Sequence, residues 1–487
     1  MGITTSYEKH ACVHPNKVAI KENDRVVTYK EWYSAVCQVA NWLTEEKSMN
    51  KTIAILLENQ IEFLQIFAGA AMAGWVCVPL DLKWKHDELD EKLKVANPSI
   101  VITEQYKMSE LPKINGKVFT LNEWAQILCK RSNGYDSSLS VDDLPFYMGF
   151  TSGSTGKAKA FLRAQQSWVK SFDCNVYDFH MKNEDSVLLA GTFVHSLFLY
   201  GAMSALYLGQ TVHIVEKFIP NRVLSILEQE QISVMYTVPT MLEALYKEER
   251  AIEQEVKIIS SGAKWEAEAK RNVQRMFPYA KRYEFYGASE LSFVTALTDE
   301  ENERKASSVG KPCHNVQVRI CNGSGQELQP GEVGTVYVKS EQFFIGYLQD
   351  GELSYQETED GWMTVQDIGY RDDEGFLYIV GREKNMILYG GINIFPEEVE
   401  SVLLTHPNVE EVVIVGVQDV YWGERPVAMV RGRATKQELK RFCLQQLSSY
   451  KIPKEWYFVD EIPYTSSGKI AREVVRDRIG KQEKVYE

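Results

Sequence analysis

The sequence predicts an α/β protein: a large N-terminal body of doubly wound α/β sheets with a small β unit, followed by a small α+β C-terminal domain. Three features carry that expectation. A strand–helix–strand–helix rhythm fills the first third of the chain. It returns between Ser186 and Tyr286. After Arg382 it gives way to a more compact alternation of strands and helices.

The elements follow in order. Val18-Ala19-Ile20 and Val26-Val27-Thr28 flank the polar Glu22-Asn23-Asp24, which predicts a hairpin. Trp32, Val36, Val39, Ala40 and Leu43 then fall on one helical face. Thr52 to Leu57 reads as a strand, Glu62 to Met72 as a helix, and Val76-Cys77-Val78-Pro79 as the next strand. Helical crossovers between successive strands make the sheet parallel, with helices on both faces. Val187-Leu188-Leu189, Thr211 to Val215, Val234-Met235-Tyr236 and Lys257 to Ser260 repeat the pattern. Between Val309 and Tyr347 the texture changes. Val316 to Ile320 and Thr335 to Val338 are separated by Asn322-Gly323-Ser324-Gly325 and Pro330-Gly331, hairpin chemistry that predicts a small antiparallel unit. Beyond Arg382, strands such as Glu411 to Val417 and Val427 to Val430 alternate with helices Pro396 to Leu404 and Lys436 to Leu447. The expected boundary leaves residues 1–383 in the body and 384–487 in the C-terminal domain.

Composition narrows the function classes. With 54 Lys and Arg against 67 Asp and Glu, the net charge is −13. That argues against a nucleic-acid binder, which needs a dominant basic face. The eight cysteines form no C-x-x-C pair, and most lie in apolar runs. They read as reduced, buried thiols of a cytoplasmic protein. Met1 to Lys17 is polar, unlike a secretory signal. The longest uncharged run, Gln65 to Leu80, is short for a bilayer span and reads as a buried helix leading into a strand.

The strongest local signal is Thr151-Ser152-Gly153-Ser154-Thr155-Gly156-Lys157, after the apolar Phe146-Tyr147-Met148. Glycines let backbone fold closely around phosphates, hydroxyls and N–H groups donate to their oxygens, and Lys157 adds charge. It is not a Walker A loop: Thr151 occupies the first glycine position, and Ala158 stands where Ser or Thr is needed. Read alone, a flexible Ser/Gly loop accounts for it as well as phosphate binding does.

The loop resembles the phosphate loop of the adenylate-forming (AMP-binding) superfamily, which includes acyl-CoA synthetases. Here Lys157-Ala158-Lys159-Ala160 lacks the proline and glycine usual in Lys-Pro-Lys-Gly. Further motifs stand in the family's order. Tyr286-Gly287-Ala288-Ser289-Glu290 resembles Tyr-Gly-x-Thr-Glu; the resemblance implies that Tyr286 stacks on adenine and that Glu290, with Thr155, holds Mg²⁺. Ser261-Gly262-Ala263 resembles the segment on the other face of adenine. Asp367, preceded by Gln366 where the family commonly has glycine, matches the ribose-binding aspartate, and Arg382 its partner. Pro463 to Ile470 resembles the family's Pro-x-Thr-x-x-Gly-Lys, which makes Lys469 the lysine that drives adenylation. His195 falls where the family places an aromatic or histidine beside the acyl pocket.

The resemblance spans nearly the whole chain and implies an ATP-dependent acid–thiol ligase. Such an enzyme forms acyl-AMP and passes the acyl group to coenzyme A, releasing AMP and pyrophosphate. The C-terminal domain is then mobile, Lys384 matches the hinge, and Gly390-Gly391 lines the pantetheine channel. Thr192-Phe193-Val194-His195 offers no carboxylate for an amino group, and Leu197, Phe198, Leu199, Tyr200 and Met203 suggest an apolar pocket or, equally, a helix core. A fatty acid is therefore expected first and an aryl acid second. Two alternatives stand beside this: an enzyme loading an aryl or amino acid onto a separate carrier protein, and a non-catalytic nucleotide-binding relative. Expected partners are the carboxylic acid, ATP and CoA, with no nucleic acid and no membrane span.

Overall fold

The computed structural model describes residues 2–48, 50–135, 143–151, 159–262, 267–305, 307–349, 351–354, 360–390, 392–464 and 470–486. They pack as two compact units. The first gathers the described residues of Met1–Thr151, Ala158–Val318 and Val338–Met363, the second those of Arg319–Tyr337 and Thr364–Glu487.

The first unit contains two large sheets. One runs in the order Lys311–Pro312, Ser292–Leu297, Lys281–Ala288, Lys257–Ser260, Val234–Thr237, Ser186–Leu189, Thr211–Ile214, Val18–Glu22 and Arg25–Thr28. Its six central strands pair in parallel, and hairpins close both edges. The other runs Glu352–Ser354, Gly346–Gln349, Lys159–Ala164, Pro145–Thr151, Val76–Pro79, Thr52–Leu56, Ile100–Thr103 and Lys117–Thr120. It is parallel from Pro145–Thr151 onward. The expected doubly wound body is present; antiparallel strands close both edges of the first sheet and one edge of the second.

Helix starts are written locally. Thr28 with Glu31, Thr120 with Glu123, Thr298 with Glu301 and Thr435 with Glu438 each form a capping box, satisfying N–H groups that the first turn leaves free. The strand Pro145–Thr151 is anchored by rings: Phe146, Tyr147, Phe67, Trp168 and Tyr200 pack in mutual edge or stacked contacts and are all buried.

The small β unit is narrower at its ends than Val309 to Tyr347, and it recruits strands from further on. Lys311–Pro312 and Gly346–Gln349 join the two large sheets. A four-stranded sheet combines Gln317–Cys321 and Gly334–Lys339 with Asp367–Arg371 and Leu377–Arg382. Turn residues marked the hairpins, but ladder partners far along the chain decide which sheet a short strand joins.

The second unit also holds a sheet of Ile392–Ile394, Ile387–Tyr389, Gly423–Gly432, Val409–Asp419 and Glu455–Phe458. Helices Pro396–Leu403 and Lys436–Gln446 cover one face, and Val475 and Ile479 of the last helix pack on Val413, Val415 and Met429. Among the described residues, no helix is long and apolar enough to cross a membrane.

Candidate active site

Successive parallel strands of the nine-stranded sheet run from Ser186–Leu189 out to Thr211–Ile214 on one side, then to Val234–Thr237 and Lys257–Ser260 on the other. The order reverses there, and such a switch opens a crevice at the carboxyl ends of the strands. Segments expected to act lie at those ends. Ser261 and Gly262 follow one strand, and Tyr286 and Gly287 end the next. The Ser261 hydroxyl donates to the Phe285 carbonyl at 2.9 Å, which fixes the two segments side by side. Tyr286 is half-buried and opposite Thr295, with a bulge between Tyr286 and Gly287. A Cβ at Gly287 would lie 2.0 Å from the Ser292 carbonyl oxygen, so the turn beyond Tyr286 closes only around a glycine.

Glu290 is half-buried two residues after that strand. The Tyr347 hydroxyl donates to its carboxylate, and the Phe344 N–H donates to its carbonyl at 2.8 Å. Lys159 places its ammonium 3.4 Å from the centre of the Tyr347 ring. Thr151 and Lys159 are register partners, so one hairpin brackets the expected phosphate loop. Ser152, Gly153, Ser154, Thr155, Gly156 and Lys157 of that loop lie outside the described residues, as do Ala263, Gly391 and Lys469.

His195 is the exposed N-cap residue of helix Ser196–Leu208. The segment before it is clamped by Asn59, which donates to the Gly191 carbonyl at 2.7 Å and accepts from the Phe193 N–H at 2.9 Å. Phe198, Leu199, Tyr200 and Met203 are buried in that helix, and Leu197 is half-buried.

In the second unit, Arg382 Nε lies 2.8 Å from a carboxylate oxygen of Asp367, its cross-strand partner. Asp367 is buried. Gln366 adopts φ +62°, the left-handed region. The short 3₁₀ turn Glu383–Asn385 holds Lys384. Gly390 has φ +57° and donates its N–H to the Trp422 carbonyl at 2.8 Å. Around Lys469, Tyr464 bridges Ile470, and the Ala471 N–H donates to the Pro463 carbonyl at 2.9 Å. Arg472 grips the buried Glu400 carboxylate through both terminal nitrogens, at 2.5 and 2.7 Å, anchoring the segment that follows.

Three residues around Glu290 were not singled out from sequence: Lys159, Arg163 and Tyr347. Arg163 left a trace as a charge directly after Ala160-Phe161-Leu162, and Lys159 stood in the Lys157-Ala158-Lys159-Ala160 motif without a role; Tyr347 left none.

Comparison with known proteins gives the same class. The AMP-binding enzyme family matches residues 7–348, and the AMP-binding enzyme C-terminal domain matches residues 398–469. The chain belongs to the AMP-binding enzyme family, whose members form acyl adenylates. Within it the chain is an AMP-forming acid–CoA ligase that uses ATP, Mg²⁺ and coenzyme A. It is 47% identical to the uncharacterized acyl-CoA ligase YhfT of Bacillus subtilis, over 98% of both chains. It is 30% identical to the putative long chain fatty acid-CoA ligase VraA of Staphylococcus haemolyticus, again over 98% of both. The B. subtilis O-succinylbenzoate coenzyme A synthetase, solved with ATP and magnesium ion, superposes with a TM-score of 0.86 at 26% identity, covering 96% of this chain and 98% of that one.

Proposed function

We propose that this ligase activates a fatty acid in the cytoplasm, with the residues below in the stated roles. The observation that carries the site reading is the Glu290 carboxylate, fixed by Tyr347 at the end of the strand bearing Tyr286.

A carboxylate is a poor electrophile. Attack of its oxygen on the α-phosphorus of ATP forms the acyl–phosphate bond and breaks the bond to pyrophosphate, leaving AMP as a good leaving group. Two anions must meet, so positive charge is preorganised. Lys469 lies between the carboxylate and the α-phosphate, and Thr151 to Lys157 donate to the departing pyrophosphate. Magnesium, when bound, supplies further positive charge. Glu290 and Thr155 are its proposed holders, and a carboxylate oxygen suits a hard cation. Tyr286 and Ser261-Gly262-Ala263 enclose adenine. Asp367 and Arg382 bind the ribose, and His195 flanks the acyl group. Residues 384–487 then turn about Lys384, withdrawing Lys469, and Gly390-Gly391 admits the pantetheine thiol to the acyl carbon.

A fatty acid is favoured because Thr192 to His195 contains no carboxylate to pair an amino group, and because VraA is named for such a substrate. An aryl acid is the second reading. The test is thioester formation with free CoA across alkyl and aryl acids. Turnover confined to aryl acids overturns the fatty-acid reading, and absence of acid-dependent ATP–pyrophosphate exchange overturns the site reading.

A further inference from the structure

Arg163 is the least expected residue in the first unit. It is 2 % exposed and directly follows the apolar run Ala160-Phe161-Leu162 in the strand Lys159–Ala164. Its guanidinium donates to the Ser289 carbonyl at 2.8 Å and the Ser167 hydroxyl at 3.1 Å, and to the Ser292 hydroxyl and Gln342 carbonyl at 2.5 Å each. All four acceptors are neutral, and its Nε has no partner among the described residues. Burial pushes its pKa down to about 10, so it remains a cation at neutral pH. A buried cation hydrogen-bonded only to neutral groups, with the Glu290 carboxylate acting on it through space, is costly to desolvate, and packing alone does not require it.

The acceptors show what that cost secures. Ser289 and Ser292 bracket Glu290, and Gln342 lies two residues before Phe344, whose N–H binds the Glu290 carbonyl. Ser292 has φ +60°, a strained conformation for serine, and its hydroxyl is held by Arg163. Three of the four bonds therefore end beside groups that fix Glu290.

We propose that Arg163 is a positioning residue: its buried guanidinium sets the Ser289–Ser292 turn so that the Glu290 carboxylate meets the magnesium ion of bound ATP. This rests on the reading of Glu290 as a magnesium holder. The experiment is calorimetric titration of the full chain with ATP, in EDTA and with Mg²⁺, for wild type, Arg163→Met, Arg163→Lys, Ser292→Ala and Glu290→Gln. The readout is the factor by which magnesium tightens ATP binding. It is expected to fall about tenfold in Arg163→Met and about threefold in Ser292→Ala, with partial recovery in Arg163→Lys and unchanged affinity in EDTA. A folded Arg163→Met with the wild-type factor overturns the inference. If Arg163→Met does not fold, Ser292→Ala decides by the same criterion. If Glu290→Gln keeps the wild-type factor, the reading of Glu290 falls, and the inference with it.

Discussion

The Tyr347 hydroxyl donates to the Glu290 carboxylate while the Lys159 ammonium sits 3.4 Å from the centre of the same ring. One aromatic side chain thus joins a charge at the exit of the phosphate loop to the acid proposed to hold magnesium. Tyr347→Phe keeps the cation–π contact and removes only the hydroxyl. A hydrogen bond to a charged group contributes roughly 1.5–3 kcal/mol, and about 1.4 kcal/mol is tenfold in rate. Adenylation kcat is expected to fall about tenfold, measured by ATP–pyrophosphate exchange, with the folded state intact. An unchanged kcat removes Tyr347 from the site.

Gln366 offers a test of stability. Its φ of +62° costs an L-residue roughly 1–2 kcal/mol, partly offset in glycine by the greater freedom of its unfolded chain. Gln366→Gly is expected to stabilise the protein by about 0.5–1 kcal/mol in urea unfolding, and Gln366→Val to destabilise it. The family's preference for glycine before the aspartate then has a backbone cause.

Much of this was legible in the sequence because it is local. Capping boxes, apolar strands and the Tyr286-to-Glu290 motif each lie within a few residues. What escaped is non-local. Arg163 meets Ser289 across 126 positions and Gln342 across 179, and Tyr347 meets Glu290 across 57. No spacing rule reaches that far. The small β unit was misjudged at its ends for the same reason: Gly346–Gln349 is a strand by texture, but its partner, Lys159–Ala164, is set by tertiary pairing. Gln366 shows the converse. The departure from the family pattern was visible, and only the backbone explains it.

Gly390 is constrained from two sides. Its φ is +57°, and a Cβ would lie 2.7 Å from the Trp422 ring, which itself stacks on Tyr389. Gly390→Ala must adopt strained backbone and displace that ring. Because the proposed role of this segment is to admit the thiol, thioester formation from supplied acyl-AMP is expected to fall about tenfold, with adenylation little changed. Equal loss in both half-reactions would count against a channel.

His213 sets an acid limit on stability. It is buried, its Nε2 lies 2.8 Å from the Ser186 hydroxyl, and burial pushes its pKa down to about 4. The folded state therefore prefers neutral imidazole, while the unfolded chain binds a proton below about pH 6.5. Stability is fully present above that pH, falls as pH drops toward 4, and levels off once the folded form also protonates. At pH 5 the loss from this one group is about 2 kcal/mol. His213→Gln is expected to flatten that part of the urea-midpoint profile between pH 7 and 5.

Lys469 carries the sharpest division of labour. The described residues on either side of it are tied down without it, Tyr464 bridging Ile470 and Arg472 gripping Glu400, so none of these contacts is removed by changing the lysine. In adenylation the lysine is proposed to neutralise the approach of two anions; in thioester formation the acyl-AMP already exists and that charge is no longer needed. Lys469→Ala is therefore expected to lower acid-dependent pyrophosphate exchange by at least about a hundredfold, the scale of losing a preorganised cation in a reacting site. Conversion of supplied acyl-AMP and CoA to thioester should stay within a few-fold of wild type. Parallel collapse of both half-reactions would mean that the lysine serves a step common to both, and the proposed withdrawal about Lys384 would lose its purpose.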